Sequence, residues 1–358
     1  MSHVPTSDVC GADFFDRSPR ILITRLSAIG DCILTMPLAV ALRDAFPQSF
    51  IAWAVEGVAG TVVERHAAVD LAIRLPRRFS RSPGALLRLS QRLRSLRFDL
   101  AIDPQSLTKS SLVAWLSGTK RRIGFSRPVG REIAPWLNTQ LVDCRTRHVV
   151  DRYLELLHPL GKSAGPVRFD FPRDEPLEAQ IRTALQSSGL HRPFAVLNPG
   201  AGWESKRWPA ERYAEVARQL HIRWHVATLA VWAGPQERAW ADQIAGLAGG
   251  AALVAPSTTL LELAAVLRQA ALFVGSDTGP LHMAAAVGTP CVGIYGPTRP
   301  EDCGPYGPGH QTVQAWYQDG SSRKRRNGAN DAMRDVPVEW VVNACGRILE
   351  ARGAESAA

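Results

Sequence analysis

ALFVGSDTGPLHMAAAVGTPCVGIYG, residues 271–296, reads as strand, loop, helix, strand. The apolar run ALFVG gives way to small and polar residues, Pro280 suits the first turn of a helix running through Ala286, and CVGIYG restores a β-rich run. Two such runs joined by a helix form a βαβ unit with parallel strands. Working outward, FAVLN (194–198) and VATLAVWA (226–233) belong to the same series, and an earlier one comprises ILIT (21–24), FIAWAV (50–55), LAIRL (71–75) and DLAID (99–103). The close-packed apolar runs of the second half suit strands covered by helices on both faces. The predicted fold class is α/β, with two similar halves.

Length agrees with this: 358 residues at 46% hydrophobic content can form two domains with separate cores. The expected organisation is a leader over 1–19, a first domain over 20–165, a polar proline-bearing linker over 166–193, a second domain over 194–335, and a helix and tail over 336–358, with residues 318–335 a basic surface loop. The six cysteines form no CxxC pair, which predicts reduced thiols and a cytoplasmic setting rather than a disulfide scaffold or zinc site. The first twenty residues lack the basic start and apolar core of a signal peptide, so Cys10 is not an expected lipidation site. No run approaches the roughly 18 apolar residues of a membrane span, so membrane contact is expected to be peripheral. The net charge of +9 calls for an anionic partner, whether nucleic acid, a phosphorylated small molecule or an acidic membrane.

That charge is localised. From Arg77 to Arg131 eleven Arg and two Lys face only Asp99 and Asp103, a surplus of +11 that exceeds the whole chain's. Within this segment LLRLSQRLRSLRF (86–98) puts Leu86, Leu89, Leu93 and Leu96 on one helical face and Arg88 and Arg92 on another.

Three loops carry candidate chemistry. Asp277 ends the strand ALFVG, where open α/β sheets bind ligands, and the N–H groups of Thr278, Gly279 and Leu281 lie at a helix N-terminus suited to a diphosphate; the plain alternative is that Asp277 and Thr278 cap that helix. GAGWES (200–205) lacks the third glycine of a dinucleotide fingerprint, but its small residues, Gly202 among them, would let backbone N–H groups approach a phosphate that Lys206 neutralises. Asp31, in RLSAIGDCILTMP (25–37), is the lone carboxylate of the turn after the first strand; it is as well placed to cap the following helix as to act as a base. His282, one turn into the Asp277 helix, reads either as a ligand contact or as a satisfied core histidine. Neither a metal-ligand grouping nor a Ser/His/Asp set is recognisable.

Four stretches together resemble the ADP-heptose:lipopolysaccharide heptosyltransferases over about residues 20–350: RLSAIGDCILTMP, DPQSLTKSSLVAWLSGTKRRIGF (103–125), NPGAGWESKRWP (198–209) and VGSDTGPLHMAAAVGTPCVGIYGPTRPEDCGPYG (274–307). The resemblance implies the GT-B fold, two Rossmann-like domains facing a central cleft, and inverting transfer of heptose from ADP-heptose to the inner core of lipopolysaccharide at the inner membrane. By the same resemblance Asp31 is the general base and Lys206 aids catalysis and grips the donor. Glu237 holds the nucleotide ribose, Asp277 the sugar hydroxyls, and Gly202, Thr278, Gly279 and His282 complete the donor site. Lys109 and Arg131 are the acceptor candidates from the basic segment. No cofactor, bound metal or nucleic acid is implied. Departures include Ala201 and Gly202 where some relatives place hydroxyl residues ahead of the lysine. The competing readings are another nucleotide-sugar enzyme of the same plan, such as an epimerase, and a non-catalytic polyanion or membrane-surface binder.

Overall fold

The computed structural model describes residues 18–76, 78–190 and 193–357. Residues 1–17, which hold Cys10 and most of the predicted leader, and Arg77 of the basic segment lie outside the described residues.

The chain divides into two compact units, one of residues up to Ser27 with Thr35–Thr146 and Val150–Asp170, the other of Ala28–Leu34, Arg147–Val149 and Phe171–Ala358. Each holds a parallel six-stranded sheet. In the first, β1 (Arg20–Thr24), β2 (Phe50–Glu56), β3 (Leu71–Leu75), β4 (Leu100–Ile102), β5 (Arg121–Phe125) and β6 (Gln140–Val142) lie in the order β3-β2-β1-β4-β5-β6. In the second, β7 (Phe194–Asn198), β8 (Ala227–Ala230), β9 (Ala252–Val254), β10 (Leu272–Ser276), β11 (Cys291–Tyr295) and β12 (Gln311–Gln314) repeat it as β9-β8-β7-β10-β11-β12. Both sheets thus have the doubly wound order 3-2-1-4-5-6, with the switch point between first and fourth strands where such sheets bind ligands.

The central strands β1, β7, β10 and β11 are buried along nearly their whole length, as strands covered on both faces must be. Helix Pro83–Ser95 buries Leu89 and Leu93 against the first sheet, with Leu86 and Leu96 packed partly beside them, which is the leucine face read from the sequence. In the second unit helix Ala210–Trp224 buries Tyr213, Val216 and Leu220, and the last helix, Val338–Ala357, contributes Val341, Val342 and Cys345 to the same core.

Three local expectations change. The predicted linker 166–193 contains a regular helix, Glu175–Ser187, N-capped by Asp174, whose carboxylate accepts from the Leu177 N–H at 3.1 Å. Its polarity reflects one solvated face; Leu185 and Glu178 are buried, and the Glu178 carboxylate meets Arg268 at 3.1 Å. The predicted basic loop 318–335 holds two short helices, Ser322–Asn327 and Asp331–Arg334, and Ala332 and Met333 of the second anchor it in the core. Helix Ile29–Ala45 starts before Asp31, which therefore lies in its first turn rather than at its cap.

Candidate active site

The loops after β7, β8 and β10 converge in the second unit around a cavity of about 390 Å³, lined by Gly200, Gly202, Lys206, Glu237, Asp277 and Thr278 among others. Ala28, Ile29 and Gly30, the segment of the Asp31 turn grouped with this unit, line it as well.

Asp277 follows β10 directly and is 7% exposed. Lys206 donates to its Oδ2 at 2.6 Å and to its carbonyl oxygen at 3.1 Å, and His282 Nε2 lies 3.0 Å from Oδ1. Burial opposes the carboxylate's charge, but the Lys206 ammonium and the hydrogen bonds from His282 and Lys206 outweigh it and hold the group well below the usual carboxylate range. Lys206 is itself 13% exposed and sits 4.6 Å over the Trp203 ring. An ammonium has three donors, and two of them are directed at Asp277.

The helix Gly279–Ala286 begins beside this pair. Thr278 stands at its N-cap position but makes no capping side-chain hydrogen bond; its hydroxyl instead donates to Ser276 O at 3.2 Å and accepts from Asn198 Nδ2 at 3.3 Å. Asp277 is likewise engaged elsewhere, so neither residue serves as the helix cap. The N-terminal amides keep their partial positive charge beside a buried ammonium, an environment that favours an anion.

Glu237, half-buried in the first turn of helix Gly234–Leu247, accepts from the Ala233 N–H at 2.8 Å. Burial pushes its carboxyl up, partly offset by the Ala233 hydrogen bond and the charge of Arg207. It explains a residue that the fingerprint comparison passed over: a Cβ at Gly200 would lie 2.3 Å from the Glu237 carboxylate. At Gly202 the same atom meets nothing within 4 Å, so the tight glycine of GAGWES is Gly200.

The sequence also gave no sign of Gly30 or Cys303. A Cβ at Gly30 would come within 2.7 Å of His282 Cδ2 and 3.4 Å of Gly279 Cα, so the Asp31 turn lies this close to the N-terminus of helix Gly279–Ala286 because it carries a glycine. The Cys303 Sγ lies 3.6 Å from Asp277 Oδ2; burial pushes this thiol well up, and the nearby charges of Asp277 and Asp31 act in the same sense. Asp31 accepts from the Ala28 N–H at 3.1 Å, the reach-back contact of a first-turn carboxylate.

The remaining candidates belong to the first unit. Lys109 is paired with Glu56, Nζ to Oε1 at 2.6 Å, so its charge is already compensated. Arg131 is exposed and its backbone N–H donates to Ser106 O at 3.0 Å. The structure thus brings Lys206, Glu237, Asp277, Thr278, Gly279 and Gly202 to one cavity, sets His282 behind Asp277, and leaves Lys109 engaged elsewhere.

The family model of glycosyltransferase family 9 (heptosyltransferase) matches residues 86–332. The chain belongs to this family. Family 9 membership makes it a glycosyltransferase, which separates it from the epimerase and non-catalytic readings. It is 30% identical to lipopolysaccharide heptosyltransferase 1 of Pseudomonas aeruginosa over 80% of this chain and 81% of that protein. Among solved structures, a family 9 glycosyl transferase from Veillonella parvula superposes with a TM-score of 0.80 at 26% identity, covering 93% of this chain and 98% of that one. Escherichia coli heptosyltransferase WaaC, solved with ADP-2-deoxy-2-fluoro heptose, gives 0.69 at 25% identity, covering 93% and 99%. The fold is the GT-B class, α/β with two Rossmann-like units.

Proposed function

We propose that the chain transfers a heptose from ADP-heptose to the inner core of lipopolysaccharide, a lipid A–Kdo type acceptor, with inversion at the anomeric carbon. The relatives' names support the acceptor class, and the WaaC complex with a fluorinated ADP-heptose supports the donor. The observation that carries the reading is the meeting of a nearly buried ammonium, Lys206, with the uncapped end of helix Gly279–Ala286 in one cavity.

As the glycosidic bond to ADP breaks, negative charge gathers on the departing diphosphate. Lys206 and the N–H groups of Thr278 and Gly279 would stabilise it without reorganising. Asp277 has both oxygens engaged by Lys206 and His282, so its first task in this reading is to orient the lysine, with sugar hydroxyls as further partners. Glu237 would accept ribose hydroxyls, which relieves a carboxylate that burial now disfavours. Inversion by single displacement needs one base for the acceptor hydroxyl, and Asp31 takes that role. Arg131 remains the acceptor candidate with an exposed charge, while Lys109 would have to leave Glu56 to serve.

The test is transfer from ADP-heptose to a set of truncated core acceptors by wild type and Asp31→Asn. Turnover is expected to fall about 10²–10⁴-fold while ADP affinity is retained. Normal turnover would return Asp31 to a helix-stabilising role, and conversion of ADP-heptose to an epimer without acceptor would overturn the transferase assignment.

A further inference from the structure

The connections β3 to β4, β4 to β5 and β5 to β6 all step in the same direction across the first sheet. Right-handed crossovers therefore place their helices, Pro83–Ser95, Thr108–Leu116 and Ala134–Leu137, on one face. These helices pack side by side, the first on the second and the second on the third. Their outward surface is unusual in two ways at once.

It carries large apolar side chains in water: Trp136 is 78% exposed, Leu87 61%, Trp115 47% and Ile133 44%. At 100° per residue Leu87 points away from the buried Leu89 and Leu93, with Arg88 and Arg94 beside it. The same surface is basic. Arg88, Arg92, Arg94, Lys120 and Arg131 are all exposed, whereas from residue 82 to 137 the carboxylates are Asp99, Asp103 and Glu132 alone. Asp103 is fully buried, Asp99 accepts from the Arg20 N–H at 2.8 Å, and Glu132 accepts from the Thr108 N–H at 3.1 Å and lies in the field of Arg131, so these five exposed cations stand against two exposed carboxylates.

Tryptophan and basic residues on a surface with few acids match the interface of an anionic bilayer, where indole rings sit at headgroup depth and cations meet lipid phosphates. We propose that this three-helix face docks the protein on an anionic phospholipid surface, with Trp136, Trp115, Ile133 and Leu87 entering the headgroup layer and the arginines neutralising lipid charge. Among the described residues no helix is long and apolar enough to cross a membrane, so the contact is superficial and reversible. The inference rests on the composition of this face and is independent of which sugar or acceptor the enzyme uses.

Co-sedimentation of the full chain with vesicles of phosphatidylcholine alone, or mixed with phosphatidylglycerol, tests it. Partition is expected to be at least about tenfold stronger to the mixed vesicles, since each basic residue at such a surface is worth roughly fivefold. Trp115→Ser/Trp136→Ser should lower it several-fold. Arg88→Gln/Arg94→Gln should lower it roughly twentyfold; this second variant carries the test if the tryptophan variant melts early. Both should keep wild-type ADP affinity and transfer to a lipid-free core oligosaccharide, which separates this proposal from the transferase reading. Equal partition to both vesicle types, partition unchanged in the arginine variant, or binding of duplex DNA or self-association in place of vesicles would overturn it.

Discussion

Replacing Lys206 by Met tests whether the buried pair organises the second unit. The ammonium lies 2.6 Å from Asp277 Oδ2, with the two side chains only 13% and 7% exposed. Removing one partner of such a pair strands the other charge in a poorly solvated site, at a cost of about 3–5 kcal/mol. For a unit of this size that corresponds to a melting temperature lower by roughly 6–20 °C. Asp277→Asn alone should be costly for the mirror-image reason, whereas Lys206→Met with Asp277→Asn removes both charges and should cost less than the two single changes combined. The pH dependence adds a second signature. In wild type the Asp277 carboxyl is held low, so its stabilisation is present above the ordinary carboxyl range and is lost only as pH falls through its folded value. Without Lys206, only the His282 hydrogen bond and charge still oppose burial, so that value rises; the variant should then begin to lose stability at a higher pH than wild type as the solution is acidified. Urea denaturation of the four proteins at several pH values reads both effects. Single-variant losses that add within about 0.5 kcal/mol would show that the pair does not act as a unit.

Gly200→Ala should raise the donor KM at least about tenfold with little change in melting temperature, because its Cβ would displace the Glu237 carboxylate, 2.3 Å away; donor titration measures this, and an unchanged KM would remove Glu237 from the ribose site. In the first unit, buried His66 accepts the Ala68 N–H at Nδ1 and meets Phe169 O through Nε2 at 2.9 Å. Burial lowers its pKa, so the folded state resists protonation and stability should fall as pH drops below the ordinary histidine value, by at most about 1.4 kcal/mol per pH unit. Thermal melts from neutral to mildly acidic pH should show this slope in wild type and a shallower one in His66→Gln; equal slopes would assign the acid sensitivity to other groups.

Eight of the strands were readable as apolar runs, because β1, β7, β10 and β11 are covered on both faces and must be continuously apolar. The others, β5, β6, β9 and β12, escaped for physical reasons. Three of them are edge strands of three or four residues; edges are kept short where exposed hydrogen-bonding groups would invite aggregation, so β9, although apolar as Ala252–Val254, is too brief to stand out, and β6 and β12 also open on glutamine. The fourth, β5, opens with Arg121 and Arg122, whose guanidinium groups donate to the Pro159, Leu137 and Thr119 carbonyls; they resembled surface charge in the sequence but serve as internal ties.

The repeated βαβ rhythm, the localisation of positive charge and the identity of the loops that follow β7 and β10 were therefore legible along the chain, since these depend on local periodicity and on the chemistry of sequence neighbours. What those loops do to each other came from the folded arrangement. Lys206 and Asp277 are 71 residues apart yet share a hydrogen bond, Gly200 is a glycine because of Glu237, and Gly30 because of His282. Lys109 looked available until Glu56 was found beside it. Such pairings arise from the order in which strands assemble into a sheet, and no local pattern records them.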